Sequence, residues 1–189
     1  MPNFTVILAA AGKSSRFKDE HYKKPFAILK QKAVWLYSAE RFLKRDDVKQ
    51  LIMVIAKADQ DSFMSKFGAN LAVLGIDVVL GGQERCDSIA NALKRVDESS
   101  DFVAIHDAAR PCVPDEDVES VFATAIRTKA AILASPVTST LKKSANGKTV
   151  DETVDRSVLW QAMTPQVFDR RTLVEAYERI GDFKPTDDA

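Results

Sequence analysis

Phe4-Thr5-Val6-Ile7-Leu8-Ala9-Ala10-Ala11-Gly12-Lys13-Ser14-Ser15-Arg16 sets a short apolar, β-rich run against a loop of small and cationic residues. The apolar part reads as a buried strand, because five consecutive β-formers ending in alanine and glycine leave no helical stripe. Working outward, residues 51–56, 77–80, 102–106 and 130–134 repeat the pattern as further strands. Between them, residues 34–45, 59–67, 85–96 and 115–129 place apolar side chains at helical spacing. Strands that are apolar on both faces and alternate with amphipathic helices predict an α/β, Rossmann-like, mostly parallel sheet covered by helices on both faces. Such sheets bind ligands outside the carboxyl ends of their strands. Polar or glycine-containing segments follow the first, third and fourth strands.

The pattern changes after Pro136. Two polar, β-branched runs, 136–143 and 148–154, flank Asn146-Gly147. That pair between such runs predicts a hairpin whose two turn positions both take φ > 0. The hairpin holds too little apolar surface to join the sheet, so residues 137–156 are expected to project as an arm from a single domain spanning 1–189.

The chain has 27 basic and 27 acidic residues among 189. This balance gives no overall field that would draw nucleic acid or an anionic membrane. Any bound anion must be held by a local site. Cys86 and Cys112 stand apart without metal-like spacing and read as reduced thiols. No basic region followed by an apolar segment opens the chain, and no run approaches the ~18 apolar residues of a membrane span. The expectation is a cytoplasmic protein.

Three loops carry candidate chemistry. Ala10, Ala11 and Gly12 would let backbone N–H groups approach phosphates, with Lys13 and Arg16 as counter-charges. A solvated turn reads equally well, for the spacing is neither a P-loop nor a dinucleotide fingerprint. Lys23 and Lys24 add two cations that fit either the same pocket or a solvated loop. Gly81-Gly82-Gln83-Glu84-Arg85-Cys86-Asp87-Ser88 opens a helix, where Gly81 and Gly82 allow close backbone approach, Ser88 suits a base or sugar, and Asp87 or Ser88 equally suits a cap. Asp107 follows the fourth strand, where a carboxylate can hold a ribose hydroxyl or Mg²⁺, or pair with Arg110. His106 reads as a packing or hydrogen-bonding residue rather than a base. Composition and spacing stop at a cation-rich edge and name no reaction.

The ordered set A-A-G-K-S-S-R at 10–16, G-G-Q-E-R-C-D-S-I at 81–89, H-D-A-A-R-P at 106–111, T-V-D-R at 153–156, L-W-Q-A-M-T-P-Q at 159–166 and T-D-D-A at 186–189 resembles the 2-C-methyl-D-erythritol 4-phosphate cytidylyltransferases. The resemblance implies transfer of CMP from CTP to methylerythritol phosphate with release of pyrophosphate, in non-mevalonate isoprenoid synthesis. It implies that Arg16, Lys24 and Arg156 act in catalysis. Ala10, Ala11, Gly12, Lys13, Gly82, Ser88 and Asp107 would hold CTP, while Asp107, Arg110, Thr140, Arg156, Thr164 and Thr186 would hold methylerythritol phosphate. Mg²⁺ or another divalent cation would act either at Asp107 or on the CTP phosphates. The resemblance further implies a homodimer in which each arm crosses to the partner, so that Thr140 and Arg156 complete the neighbouring site. Relatives that act on ribitol 5-phosphate tend to carry H-D-S-V-R-P, so Ala108 and Ala109 favour methylerythritol phosphate as acceptor. A Rossmann dehydrogenase would need a dinucleotide fingerprint that this chain lacks.

Three departures from the family pattern stand out. Ser14 replaces a usual glycine, and Gln83 replaces a frequent acid. Lys24-Pro25-Phe26 stands where P-K-Q is usual, with Lys23 the alternative cation. Beyond Ala189 the family continues through a helix, a strand and an N-[IL]-K-[VI]-T segment whose lysine touches the phosphates. The C-terminal part of the family domain is therefore expected to be missing here. The corresponding alternative is a module that binds CTP without turnover.

Overall fold

β1 (Phe4–Ala9) is buried through Leu8, and its pleat sends Phe4, Val6 and Leu8 to one face of the sheet and Ile7 to the other. The structure is a computed structural model and describes residues 1–12, 23–181, 183, 185 and 187–189. A 3-10 turn at Lys24–Phe26, a small ribbon of β2 (Ile28–Leu29) and β3 (Lys32–Ala33), and α1 (Val34–Leu43) come next. β4 (Val48–Ile55), α2 (Gln60–Leu74), β5 (Asp77–Leu80), α3 (Arg85–Leu93), β6 (Phe102–Asp107), α4 (Asp115–Thr128) and β7 (Ala130–Pro136) continue the alternation. β8 (Leu141–Lys143) and β9 (Glu152–Val154) form a separate ribbon, followed by β10 (Trp160–Asp169) and α5 (Arg170–Glu178).

The six-stranded sheet has the order β5-β4-β1-β6-β10-β7. β1 runs parallel to β4 and β6, and β4 parallel to β5. β10 runs antiparallel to both its neighbours, which leaves β7 pointing the same way as β1. The mostly parallel α/β sheet expected from the sequence is what forms. The reversed strand within it was not anticipated, because Pro165 and the polar Gln161, Thr164 and Gln166 break the strand pattern. Pairing of β10 with β7 is interrupted between Ala162 and Gln166, where the Thr164–Pro165 peptide is cis.

Helices α1, α2 and α4 cover one face, where Trp35, Phe63, Phe67 and Phe122 join Phe4 and Leu51 in the larger core. Helices α3 and α5 cover the other, where Ile89 and Leu173 meet Ile7, Ile52 and Ile105. Phe4 stacks on Phe122 with ring centroids 4.2 Å apart. Thr5, buried at the sheet centre, bonds to Ser100 (2.6 Å) and donates to Gln50 (3.0 Å), so its hydroxyl is satisfied.

Helix α5 and the β2–β3 ribbon were not read from the sequence either, and two further elements differ in extent or shape from their reading. Helix α2 runs on past residue 67 to Leu74 and ends on Gly75 at φ 64°. Leu71 continues the buried stripe behind the small residues Gly68 and Ala69 that obscured it. In the arm, β8 and β9 pair as a hairpin, with Leu141 opposite Val154. Its turn is wider than the two-residue type, however. Gly147 takes φ 69° but Asn146 does not; instead the Asn146 side chain accepts the N–H groups of Lys148 (2.8 Å) and Thr149 (2.9 Å). A local side-chain bond of this kind stabilises a turn without left-handed backbone at asparagine. Among the described residues, no helix is long and apolar enough to cross a membrane.

Candidate active site

The carboxyl ends of β1, β5 and β6 deliver three loops to one edge of the sheet. Backbone bonds seat each of them: Ala10 N–H donates to Val54 (2.8 Å), Gly81 N–H to Ile55 (2.8 Å) and Ala108 N–H to Ala9 (3.1 Å). The first and second loops touch. A Cβ added at Gly81 would lie 2.6 Å from Ala11 Cβ and 2.7 Å from Ser88 Oγ, and one at Gly82 would lie 2.3 Å from Asp87 Cβ. The Gly81-Gly82 pair is therefore required by close approach, since both distances lie inside contact range.

Ser88, buried in the first turns of α3, accepts the Gly82 N–H (3.1 Å) and donates to the Glu84 carbonyl (3.0 Å). Asp87 accepts the Glu84 N–H (3.0 Å) and completes a capping box. The helix-capping alternative for this segment is thus real, and it falls to Asp87 while Ser88 shapes the loop. The Ser88 hydroxyl retains one acceptor lone pair.

Asp107 ends β6, where the third loop begins. Its Oδ1 accepts from Arg85 Nη1 (3.1 Å) and its Oδ2 from Arg110 Nε (2.8 Å), while its N–H donates to Thr164 Oγ1 (3.1 Å). Burial alone would raise its pKa, but Arg85 and Arg110 outweigh burial and hold it below the usual carboxylate range. Two guanidinium groups bracketing this carboxylate oppose a divalent cation there. No group of three His, Cys, Asp or Glu side chains suited to a metal occurs among the described residues.

His106 is fully buried, donates Nε2–H to the Arg110 carbonyl (3.0 Å) and packs edge-on against Phe42. Burial pushes its pKa down to about 4. Ser38, on α1, donates to the Ala108 carbonyl (2.9 Å). His106 and Ser38 together pin the turn that presents Arg110.

Lys23 and Lys24, indistinguishable in the sequence, separate in the structure. The Lys23 ammonium pairs with Asp59 at 2.6 Å, whereas Lys24 is exposed and has no partner among the described residues. Pro25 and Phe26, both buried, anchor the 3-10 turn on which Lys24 stands, with the Phe26 ring tilted against Phe63 at 5.0 Å between centroids.

The structure thus gathers Ala10, Ala11, Gly12, Gly82, Ser88, Asp107, Arg110 and Thr164 along one edge. Thr140 and Arg156 are exposed on the arm, where Arg156 bonds to the Thr138 carbonyl. Lys13, Arg16 and Thr186 lie outside the described residues. The sequence reading missed Arg85, Tyr177 and Asp188. Arg85 Nε and Nη2 both reach Asp188 Oδ2 (3.1 and 2.6 Å), and Tyr177 donates to Asp188 Oδ1 (2.7 Å). Arg85 and Asp188 stood within quoted motifs, but nothing local marks two residues 103 apart as a pair.

Known proteins resemble this chain in sequence and fold. The sequence profile described as 2-C-methyl-D-erythritol 4-phosphate cytidylyltransferase matches residues 4–189. The chain is 38% identical to the protein of that name from Rhodopirellula baltica, over 98% of this chain and 79% of the relative. It is 34% identical to the one from Clostridioides difficile, over 98% of this chain and 78% of the relative. A solved 4-diphosphocytidyl-2C-methyl-D-erythritol synthase from Anaerococcus prevotii superposes with a TM-score of 0.78 at 26% identity, covering 99% of this chain and 79% of that one.

Proposed function

Because the chain belongs to the 2-C-methyl-D-erythritol 4-phosphate cytidylyltransferase family, we propose that it transfers CMP from CTP to 2-C-methyl-D-erythritol 4-phosphate, a step of non-mevalonate isoprenoid synthesis. A phosphate oxygen of the acceptor attacks the α-phosphorus of CTP. The bond to the bridging oxygen breaks, and pyrophosphate leaves with both electrons of that bond. The acceptor's second phosphate pKa near ~6 leaves it largely ionised at neutral pH, so no protein base is required. The buried, neutral His106 fits that scheme, since it already donates its proton to a carbonyl.

The work left to the protein is to bring two polyanions together and to stabilise charge on the leaving group. Ala10, Ala11, Gly12 and Lys13 line the triphosphate, and Arg16 and Lys24 stabilise the transition state. Lys24 suits this role because its ammonium has no partner among the described residues, while that of Lys23 is held by Asp59. Gly82 and Ser88 hold the cytosine end, with the remaining Ser88 lone pair able to accept from an exocyclic amine. Asp107 lies between the ribose and the acceptor. Arg110, Thr140, Arg156, Thr164 and Thr186 hold methylerythritol phosphate. Magnesium enters as the CTP complex, bound by the nucleotide's own phosphates, since the doubly bridged Asp107 does not suit it. The setting is a cytoplasmic homodimer, each protomer a single domain whose arm reaches into the partner's site.

The observation that carries this reading is the convergence of the β1, β5 and β6 loops, with Asp107 bridged to Arg110 and Thr164 where two substrates must meet. Pyrophosphate release with CTP, Mg²⁺ and either methylerythritol phosphate or ribitol 5-phosphate tests it. Turnover is expected with the first acceptor, and Arg16→Ala is expected to lower kcat by about 10²–10³. Turnover with ribitol 5-phosphate alone would overturn the acceptor assignment. CTP binding without any release would point to a nucleotide-binding module.

A further inference from the structure

Arg85 occupies the first turn of α3, on the nucleotide side of the site, yet its side chain turns to two carboxylates from elsewhere in the chain. One fork, Nε with Nη2, closes on Asp188, and the remaining Nη1 reaches Asp107. Asp188 is itself locked in place. Its side chain is only 1% exposed, Tyr177 donates to its second oxygen, and its backbone N–H donates to Gln166 Oε1 at 3.0 Å. Arg85 is the only cation paired with Asp188 among the described residues. A carboxylate so buried is tolerable only while paired, because removing the partner leaves an uncompensated charge out of water.

We propose that Arg85 is a positioning residue for the acceptor side of the site, fixing Asp107 and the 187–188 segment in one geometry without itself touching substrate. This inference rests on the cytidylyltransferase reading above and adds to it a residue that holds the acceptor-binding groups in register. Three features support it. The first turn of α3 is already held by the Glu84–Asp87 capping box and by Ser88, so the Arg85 side chain is not needed to shape the cytosine loop. Asp107 carries Arg85 on one oxygen and Arg110 on the other, so freeing Oδ1 lets the carboxylate rotate and shifts Arg110 with it. Asp187 lies 3.5 Å from the amide nitrogen of Gln166, the same side chain that accepts from Asp188, so release of Asp188 loosens the whole segment. The task also demands arginine. A planar guanidinium can serve two carboxylates in fixed directions, whereas the ammonium of lysine is a single point charge.

The test compares Arg85→Lys, Asp188→Asn and the double variant with the unaltered enzyme. Steady-state rates are varied in each substrate, CTP binding is titrated by calorimetry, and thermal unfolding checks the fold. The expected result is a KM for methylerythritol phosphate raised on the order of tenfold in each single variant, with CTP affinity changed far less, since Asp107 also borders the ribose. The double variant should be no worse than Arg85→Lys alone, because that substitution already breaks the link to Asp188. Equal loss toward both substrates, no loss toward either, or effects that add in the double variant would overturn the proposal. Failure of the unaltered enzyme to release pyrophosphate with methylerythritol phosphate would instead sink the functional reading and this inference with it.

Discussion

His106 shows how one buried side chain can pin a loop through a single hydrogen bond. It sits at the end of β6 between Ile105 and Asp107, buried beside Phe42, and bonds to the carbonyl of the arginine that the next turn presents. Burial favours its neutral form, so its folded-state pKa lies near 4, against about 6.5 in an unfolded chain. The sign follows directly. Between these values the unfolded chain binds a proton that the native state refuses, so the associated stability is present above pH 6.5 and lost as pH falls toward 4. The expected loss over that window is roughly 3 kcal/mol. Denaturant titrations at pH 7, 6, 5 and 4 measure it. His106→Gln keeps a donor for the Arg110 carbonyl but has no proton to gain, so its profile should be flatter. An equal slope in the two proteins would show that other groups set the pH dependence.

At the scale of elements, the 3-10 turn Lys24–Phe26 is the clearest case of packing placing a charge. Phe26 is buried against Phe63 and Phe67, and Trp35 closes the same cluster from α1. Phe26→Ala removes that anchor at a cost of about 3–5 kcal/mol in stability. At temperatures where the variant stays folded, it should also lower kcat, because the turn carrying Lys24 loses its seat. Full kcat in a folded but destabilised variant would separate the turn from the chemistry. Such packing explains what could and could not be read from the sequence. β1 was legible because a β-rich run with four apolar residues in five, ending in small residues, admits one reading, and the Gly81-Gly82 loop because two glycines ahead of a helix signal close approach. β10 was not legible, since a strand held between two partners needs no period of its own and tolerates Pro165 where pairing with β7 lapses. The continuation of α2 past Gly68 was hidden for a related reason, its buried stripe being only one residue wide there. Pairings such as Arg85 with Asp188 and Lys23 with Asp59 exist only once the chain is folded, and no spacing rule encodes them.

For the whole molecule the open question is the arm. β8 and β9 leave only Leu141 and Val154 half-buried, while Val150, Val158 and Trp160 are 62%, 76% and 64% exposed. A hairpin with so little contact of its own is marginal in water unless something else covers it. An exchange of arms between two copies would cover it and carry Thr140 and Arg156 to the neighbouring site. This has a consequence that no single-copy arrangement shares. Each site would draw Arg16 from one protomer and Arg156 from the other, so Arg16→Ala and Arg156→Ala homodimers should each be nearly inactive. Unfolding and refolding the two variants together at equal concentration forms mixed dimers, in which one site bears both lesions and the other bears none. Activity should then recover to about a quarter of that of the unaltered enzyme, because half of the dimers are mixed and each holds one intact site of two. Refolding either variant alone should recover nothing. If the mixture stays as inactive as its components, Arg16 and Arg156 serve the same copy, and the arm packs on its own protomer.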